Sequence, residues 1–393
     1  MNILQSQTSL VHQLVCSNCH SPYALESLQT FATCCEKPLV ASYKLDDTFK
    51  KTQLKERPAN MWRYAEVLPV LNPENIVSLG EGMTPVFDLT RLAHQHGFDK
   101  LMVKDEGLNP TGSFKARGLS MAVSKAKELG VNHAVIPTAG NAGGAMSAYC
   151  AAAGIKATVV MPGHTPKIFQ QECVYYGAEV ILIDGLINNC AAKASEIERK
   201  TGAFNMATLK EPYRLEGKKT MGYEIAEQLN WELPDVILYP TGGGTGLIGI
   251  WKAFYEMIGL GWLPSDIKLP KMIVVQAENC APMVDFIKGV ERDSSAYRES
   301  IANGLAVPVA FGKDMIRNVV RESGGMALTV TEQEMIEGMQ EVSSNEGILM
   351  APEGAALWKA LLKLKNEGHL SGAEKIMMIN TGNGYKYLEN VQE

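Results

Sequence analysis

Lys115 is the side chain in this sequence best placed for covalent chemistry. It stands in Asn109-Pro-Thr-Gly-Ser-Phe-Lys-Ala-Arg-Gly118, after a turn of Pro110, Gly112 and Ser113 and at the opening of a helical pattern. An amine at a partly desolvated site has a lowered pKa and attacks aldehydes, so imine chemistry is one reading. A surface lysine in the first turn of an amphipathic helix is the other. Three glycine-bearing turns bear on the choice. Val236 to Pro240 reads as a buried strand, and Gly242-Gly-Gly-Thr-Gly246 leads from it straight into an apolar helix over 247–257. Glycine allows close backbone approach, and a helix start carries partial positive charge, so this turn can hold an anion. It has neither the G-x-G-x-x-G spacing nor the Gly-Lys-Ser/Thr of a P-loop. A tight packing turn would also explain it. Thr138-Ala-Gly-Asn-Ala-Gly-Gly144 makes a second turn, able to wrap a carboxylate or simply to cap a helix. Thr381-Gly-Asn-Gly384 follows the last strand.

These segments together match one design, an aldehyde cofactor with a phosphate tail joined to a lysine, which is pyridoxal phosphate. Lys115 would carry the aldehyde, with Phe114 beside it. Gly242, Gly243, Gly244, Thr245 and Gly246 would hold the phosphate. Asn141 would meet the ring hydroxyl, and Thr381 the pyridine nitrogen. Thr138, Ala139, Gly140 and Asn141 would seat the carboxylate of an amino-acid substrate at a helix start. A hydroxyl at the pyridine nitrogen leaves the ring a weaker electron sink, which favours elimination and replacement over transamination.

In that order the motifs are similar to those of threonine synthase and, more widely, of enzymes folded like the tryptophan synthase β-subunit. Gly80-Glu-Gly-Met-Thr-Pro85, Arg214-Leu-Glu-Gly-Lys-Lys-Thr220 and Glu322-Ser-Gly-Gly325 extend the resemblance from about residue 78 to the end. It implies two three-layer αβα units with mainly parallel sheets and the cofactor in the cleft between them. A large unit of 46–117 and 211–393 and a small mobile unit of 118–210 are expected, as is a homodimer. The implied activity is γ-elimination and β-addition, giving L-threonine from O-phospho-L-homoserine. Arg214, by motif, and Lys104, by conjecture, would bind the substrate phosphate. Three departures keep open a threonine or serine ammonia-lyase, or a β-replacing synthase on a phosphorylated amino acid. Ala116 follows the lysine where the family usually has an acid. The second turn reads Gly140-Asn-Ala-Gly-Gly144, and Thr208-Leu209 replaces the family's Asn-Ser pair. A homologue that binds the cofactor without activity is a further reading, opposed by the presence of Lys115, Asn141 and Thr381.

The elements that must position these residues alternate. Strands are expected at 100–104, 133–137, 157–161, 179–183, 236–240, 272–276 and 376–380, and helices at 113–129, 145–153 and 218–229. Near-continuous apolar strands between helices predict parallel α/β sheets covered on both faces. Residues 46–90 read as polar and irregular.

The bulk numbers are those of a globular chain: 393 residues, 46% hydrophobic, 20% charged, net charge −6. With no lysine or arginine block, nucleic acid and anionic membrane are excluded as main partners. The start lacks a basic signal-like region, and 135–155 reads as strand, turn and helix instead of a membrane span, so a cytoplasmic protein is expected. Residues 1–45 form a cysteine-bearing module. Cys16-x-x-Cys19 resembles one knuckle of a zinc ribbon, and Cys34-Cys35 an imperfect second. Adjacent cysteines do not easily chelate one tetrahedral ion, although His20 could substitute. The sequence therefore favours a metal-free relic over bound zinc. Cys150, Cys173, Cys190 and Cys280 read as small buried hydrophobes.

Overall fold

The computed structural model describes residues 9–185 and 187–391. Three sheets organise them. A small antiparallel sheet takes the order β2-β1-β3, from β1 (Val11–Cys16), β2 (Pro22–Tyr23) and β3 (Leu39–Tyr43). A six-stranded sheet has the order β12-β11-β10-β13-β5-β4. Its members are β4 (Val86–Asp88), β5 (Lys100–Asp105), β10 (Val236–Pro240), β11 (Lys271–Ala277), β12 (Met326–Val330) and β13 (Lys375–Asn380). Only β4 runs antiparallel there. A four-stranded parallel sheet orders β8 (Glu179–Ile183), β7 (Lys156–Pro162), β6 (His133–Pro137) and β9 (Phe204–Asn205).

The helices are α1 (Thr90–His96), α2 (Lys115–Glu128), α3 (Asn141–Ala153), α4 (Lys167–Tyr175), α5 (Ile187–Thr201) and α6 (Tyr213–Gln228). They continue with α7 (Thr245–Gly259), α8 (Pro282–Lys288), α9 (Lys313–Glu322), α10 (Glu332–Glu346) and α11 (Pro352–Asn366). They cover both faces of the parallel sheets, and strand periodicity shows how. Along β10, Val236 and Leu238 enter a core with Trp358 and Leu361 of α11. Ile237 and Tyr239 enter another with Leu247 and Ile250 of α7. In the smaller sheet Ala134 and Ile136 face the side chains of α2 and α3, while Val135 and Val160 pack with Cys190 and Ala194 of α5. This is the three-layer α/β arrangement expected of apolar parallel strands. Among the described residues, no helix is long and apolar enough to cross a membrane.

Two stretches differ from the reading of the sequence. The 46–90 segment is not wholly a polar surface run: Met61–Val67 is a buried 3-10 stretch, and Trp62 Nε1 donates to Glu81 Oε1 (3.0 Å). Short 3-10 turns lack the period that would have marked it. The helix expected from 218 begins at Tyr213, so Arg214 lies in the first turn of α6.

Helix α2 is locked in place by charge and by close approach. Arg117 Nε donates to Glu106 Oε2 (2.6 Å), and Nη2 donates to Glu106 Oε1 and Glu224 Oε2 (both 2.7 Å). Lys104 Nζ pairs with Glu224 (2.8 Å), and all four side chains are fully buried. Beside this cluster α2 crosses α6 at two glycines. A Cβ on Gly217 would lie 2.1 Å from Arg117 O, and one on Gly118 3.0 Å from Arg214 O. Gly217→Ala should therefore force the helices apart and cost at least about 1–3 kcal/mol in urea unfolding. Unchanged stability would contradict this account of the crossing.

Candidate active site

Lys115 is the first residue of α2, with Phe114 as its N-cap. The turn after β13 holds the turn before α2. Phe114 N–H donates to Thr381 O (3.0 Å), Asn383 N–H donates to Gly112 O (2.9 Å), and Ser113 bridges Gly382. Strands β6, β10 and β13 deliver the remaining turns to the same place, at their carboxyl ends. Lys115, Thr138–Asn141, Gly242–Gly246 and Thr381 line one cleft with Phe114, Arg214, Lys218 and Glu353.

The glycine turn is built for an anion. Among the described residues, the N–H groups of Gly242, Gly243 and Gly244 have no acceptor. Those of Thr245, Gly246 and Leu247 are first-turn groups of α7, without intrahelical partners. Lys218 Nζ donates to Thr245 Oγ1 (2.6 Å) at the edge of this nest. Packing needs the glycines too. A Cβ on Gly242 would lie 2.3 Å from Gly304 O, and one on Gly246 1.8 Å from Tyr239 Oη. The opposite wall is α3, whose first turn follows Thr138–Gly140, and Gly140 N–H donates to Thr138 Oγ1 (3.2 Å).

Three cations share the cleft. Lys115 Nζ and Lys218 Nζ lie 4.2 Å and 4.5 Å from the centroid of the Phe114 ring. Desolvation, reinforced by the Arg214 charge and opposed by Glu353, pushes Lys115 down to about 8. Burial, then Arg214 and Lys115, lowers Lys218 well below the ordinary lysine value. Arg214 Nη1 donates to Met206 O (2.7 Å), while its Nε and Nη2 are buried without partners. The same Nη1 also donates to Thr208 Oγ1 (3.4 Å), so Arg214 leans on the Thr208-Leu209 segment. Leu209 is left-handed (φ 59°), a strained conformation for an apolar residue.

Asn141 is engaged by the protein: its Nδ2 donates to Tyr387 Oη (3.1 Å), and its Oδ1 accepts from Lys386 Nζ (3.1 Å). Tyr387 Oη in turn donates to Glu353 Oε1 (3.0 Å). Glu353 Oε2 is buried without a partner, and burial raises the carboxyl pKa.

Lys104 is not with the others. Its Nζ is spent on Glu224 (2.8 Å), Thr84 O (3.0 Å) and Gln228 Oε1 (3.0 Å), so its charge is balanced in the buried cluster and does not reach the cleft. Lys218, Glu353 and Tyr387 line or support the cleft, yet were not singled out from sequence. Lys218 had a signal: it falls four residues after Arg214, on the same helix face. Glu353 and Tyr387 had none, because each reaches the cleft through tertiary packing.

The profile of pyridoxal-phosphate dependent enzymes matches residues 77–382. The chain belongs to that family. The threonine synthase of Methanocaldococcus jannaschii is 34% identical, covering 87% of this chain and 84% of its own. That of Methanosarcina acetivorans is 33% identical, covering 95% and 91%. Among solved structures, a pyridoxal 5'-phosphate-dependent aspartate racemase superposes with a TM-score of 0.67 at 21% identity, over 79% of this chain and 92% of that one. Threonine deaminase isoform 2 from Solanum lycopersicum gives 0.65 at 20%, over 86% and 95%. At such identity the structures speak to the fold alone, and it is the one expected from the motif order. The residues present fit the family's cofactor. Unpartnered N–H groups and Lys218 would meet the needs of its phosphate, and Lys115 would offer a depressed-pKa amine to its aldehyde.

With Lys115 as the amine that meets the aldehyde, uptake of pyridoxal phosphate by the cofactor-free protein would need that amine neutral. Its rate, followed by absorbance, should rise with pH through a midpoint near 8. Glu353→Gln removes a charge that favours the ammonium, so the midpoint should move down. Arg214→Gln removes one that opposes it, so the midpoint should move up. Shifts in the reverse sense would contradict the electrostatic assignment.

Proposed function

We propose that this enzyme is a threonine synthase, converting O-phospho-L-homoserine and water to L-threonine and phosphate. The observation that carries the proposal is Arg214: a buried guanidinium in the cleft with two N–H positions unpartnered. Unpaired buried donors of that kind are costly unless a ligand satisfies them, and a substrate phosphate would do so with charge-assisted bonds. The glycine turn and Lys218 would provide for the phosphate of the cofactor, which leaves Arg214 for a second anion. Relatives named threonine synthase, 31–34% identical over most of the chain, support the reading.

When bound, pyridoxal phosphate would supply an aldehyde for the substrate amine and an electron sink for its α-carbon. The protein does the rest. The α3 N-terminus and Thr138 hydroxyl receive the substrate carboxylate. Lys115 Nζ takes the α-proton, since its pKa lets the neutral amine persist near neutrality. Glu353 steadies the resulting ammonium. Arg214 stabilises negative charge as phosphate departs. Thr381, which lines the cleft, would offer a hydroxyl and not a carboxylate to the ring nitrogen. We assign residues 118–210 as the unit that closes over substrate and excludes water.

One observation favours the second reading, an ammonia-lyase or β-replacing synthase. A Cβ on Gly243 would lie 2.7 Å from Thr208 Cγ2, so the glycine turn closes directly on Thr208-Leu209. Leu209 turns an apolar side chain against Gly312 there, where the threonine synthase pattern has polar residues.

Product analysis separates the two. Offered O-phospho-L-homoserine, L-threonine and L-serine separately, the loaded enzyme should release phosphate and matching threonine from the first alone. Ammonia and a 2-oxo acid from threonine or serine, with phosphohomoserine inert, would overturn the synthase reading. Lys115→Ala should lower turnover by about 10²–10⁴-fold. Arg214→Gln should lower kcat/KM for the phosphorylated substrate by about 10²–10³-fold.

A further inference from the structure

The cysteine module has a geometry that its sequence conceals. Cys16, Cys19, Cys34 and Cys35 bring their sulfurs within 4.8 Å of one another. A tetrahedral zinc with Zn–S bonds of about 2.3 Å needs sulfurs about 3.8 Å apart, so small adjustments suffice.

The two knuckles are related by backbone, not by cysteine spacing. In the first, Cys16 N–H donates to Ser21 O (3.0 Å), and the residue after Cys19, His20, is left-handed (φ 60°). In the second, Ala32 N–H donates to Lys37 O (2.8 Å), and the residue after Cys35, Glu36, is left-handed (φ 51°). The equivalence pairs Cys16 with Ala32 and Cys19 with Cys35. The ligand missing at Ala32 is supplied by Cys34, in the position that matches Asn18. This removes the objection to an adjacent pair: Cys34 and Cys35 take different corners because the knuckle turns between them. Asn18 N–H points at Cys16 Sγ (3.5 Å) and Asn18 Nδ2 at Cys35 Sγ (3.5 Å), donors that suit thiolates.

We infer that Cys16, Cys19, Cys34 and Cys35 bind one zinc ion as a closed, four-thiolate structural site. Closed coordination leaves no position for substrate, so the ion's work is mechanical. The second knuckle reaches the catalytic body. Lys37 pairs with Asp314 (2.8 Å) at α9, and Phe31 packs edge-on against Phe311 (5.7 Å). From the end of the small sheet, Tyr43 Oη donates to Glu216 of α6 (2.8 Å), two residues from both Arg214 and Lys218. The ion thus pins a module that buttresses the helix carrying two cations of the cleft.

The test uses the full chain, purified without chelator. Elemental analysis should find about one zinc per chain. After reduction and metal removal, added Co²⁺ should give thiolate charge-transfer bands and visible bands of tetrahedral cobalt, displaced by zinc. Cys34→Ser should lose the tetrahedral signature while keeping the pyridoxal phosphate absorbance, which reports that the catalytic body is folded. Failure of the reduced protein to take up Co²⁺ or zinc would overturn the inference. So would a non-reducing mass showing these cysteines joined as disulfides, or a Cys34→Ser variant that binds cobalt tetrahedrally as before.

Discussion

The crossing of α2 over α6 is the constraint on which the rest depends. Two backbones meet there closely enough that neither Gly118 nor Gly217 has room for a side chain. Next to the contact, Arg117 and Lys104 are buried against Glu106 and Glu224. Such a cluster adds little net stability compared with an apolar packing, but losing one member leaves unpaired charge in the core, at about 3–5 kcal/mol. It therefore acts as a registration device. It fixes α2 about its axis and along it, and so fixes where Lys115 projects. The same contact sets α6, and with it Arg214 and Lys218. One crossing places all three cations of the cleft.

Those cations are in tension with their surroundings. Lys115, Lys218 and Arg214 share an enclosed space, and burial works against the charge of each. Protein acceptors answer only part of this: Thr245 for Lys218, and Met206 and Thr208 for one nitrogen of Arg214. The remaining demand is for anions. A phosphorylated cofactor and a carboxylate-bearing, phosphorylated substrate would relieve it, so affinity and catalysis draw on the same stored electrostatic cost. Two buried carboxylates act on this group, Glu211 on Arg214 and Lys218 and Glu353 on Lys115, and the contact of Glu353 with Tyr387 links it to Asn141.

Much of this was legible in the sequence, for identifiable reasons. Lys115 and the turns at 138–144, 242–246 and 381–384 were visible because strand, glycine turn and helix start are encoded locally. The two-faced sheets were visible because β10 and the Ile376–Ile379 run of β13 are apolar without interruption. What escaped depends on long-range geometry. Lys104 sits one strand-end from the cleft, and only the buried partners Glu106 and Glu224 decide that it serves the core. Glu353 enters the cleft, and Tyr387 backs it, from elements far along the chain. The 3-10 stretch at 61–67 has no period to betray its burial. The second cysteine knuckle reads from sequence only as an imperfect one, because its equivalence to the first lies in backbone conformation at His20 and Glu36, with the cysteine at 34 and not at 32.

The account's central claim is that α2 presents Lys115, and not its neighbour Lys218, to the cofactor aldehyde. Lys218 is buried and Lys115 half-buried, both have depressed pKa values, and both lie against the Phe114 ring. Borohydride reduction of the holoenzyme, followed by peptide mass mapping, distinguishes them directly. The account predicts the pyridoxyl group on Lys115 alone, with Lys218 unmodified. A pyridoxyl group on Lys218 would contradict it, and would reverse the roles of the two lysines in the cleft.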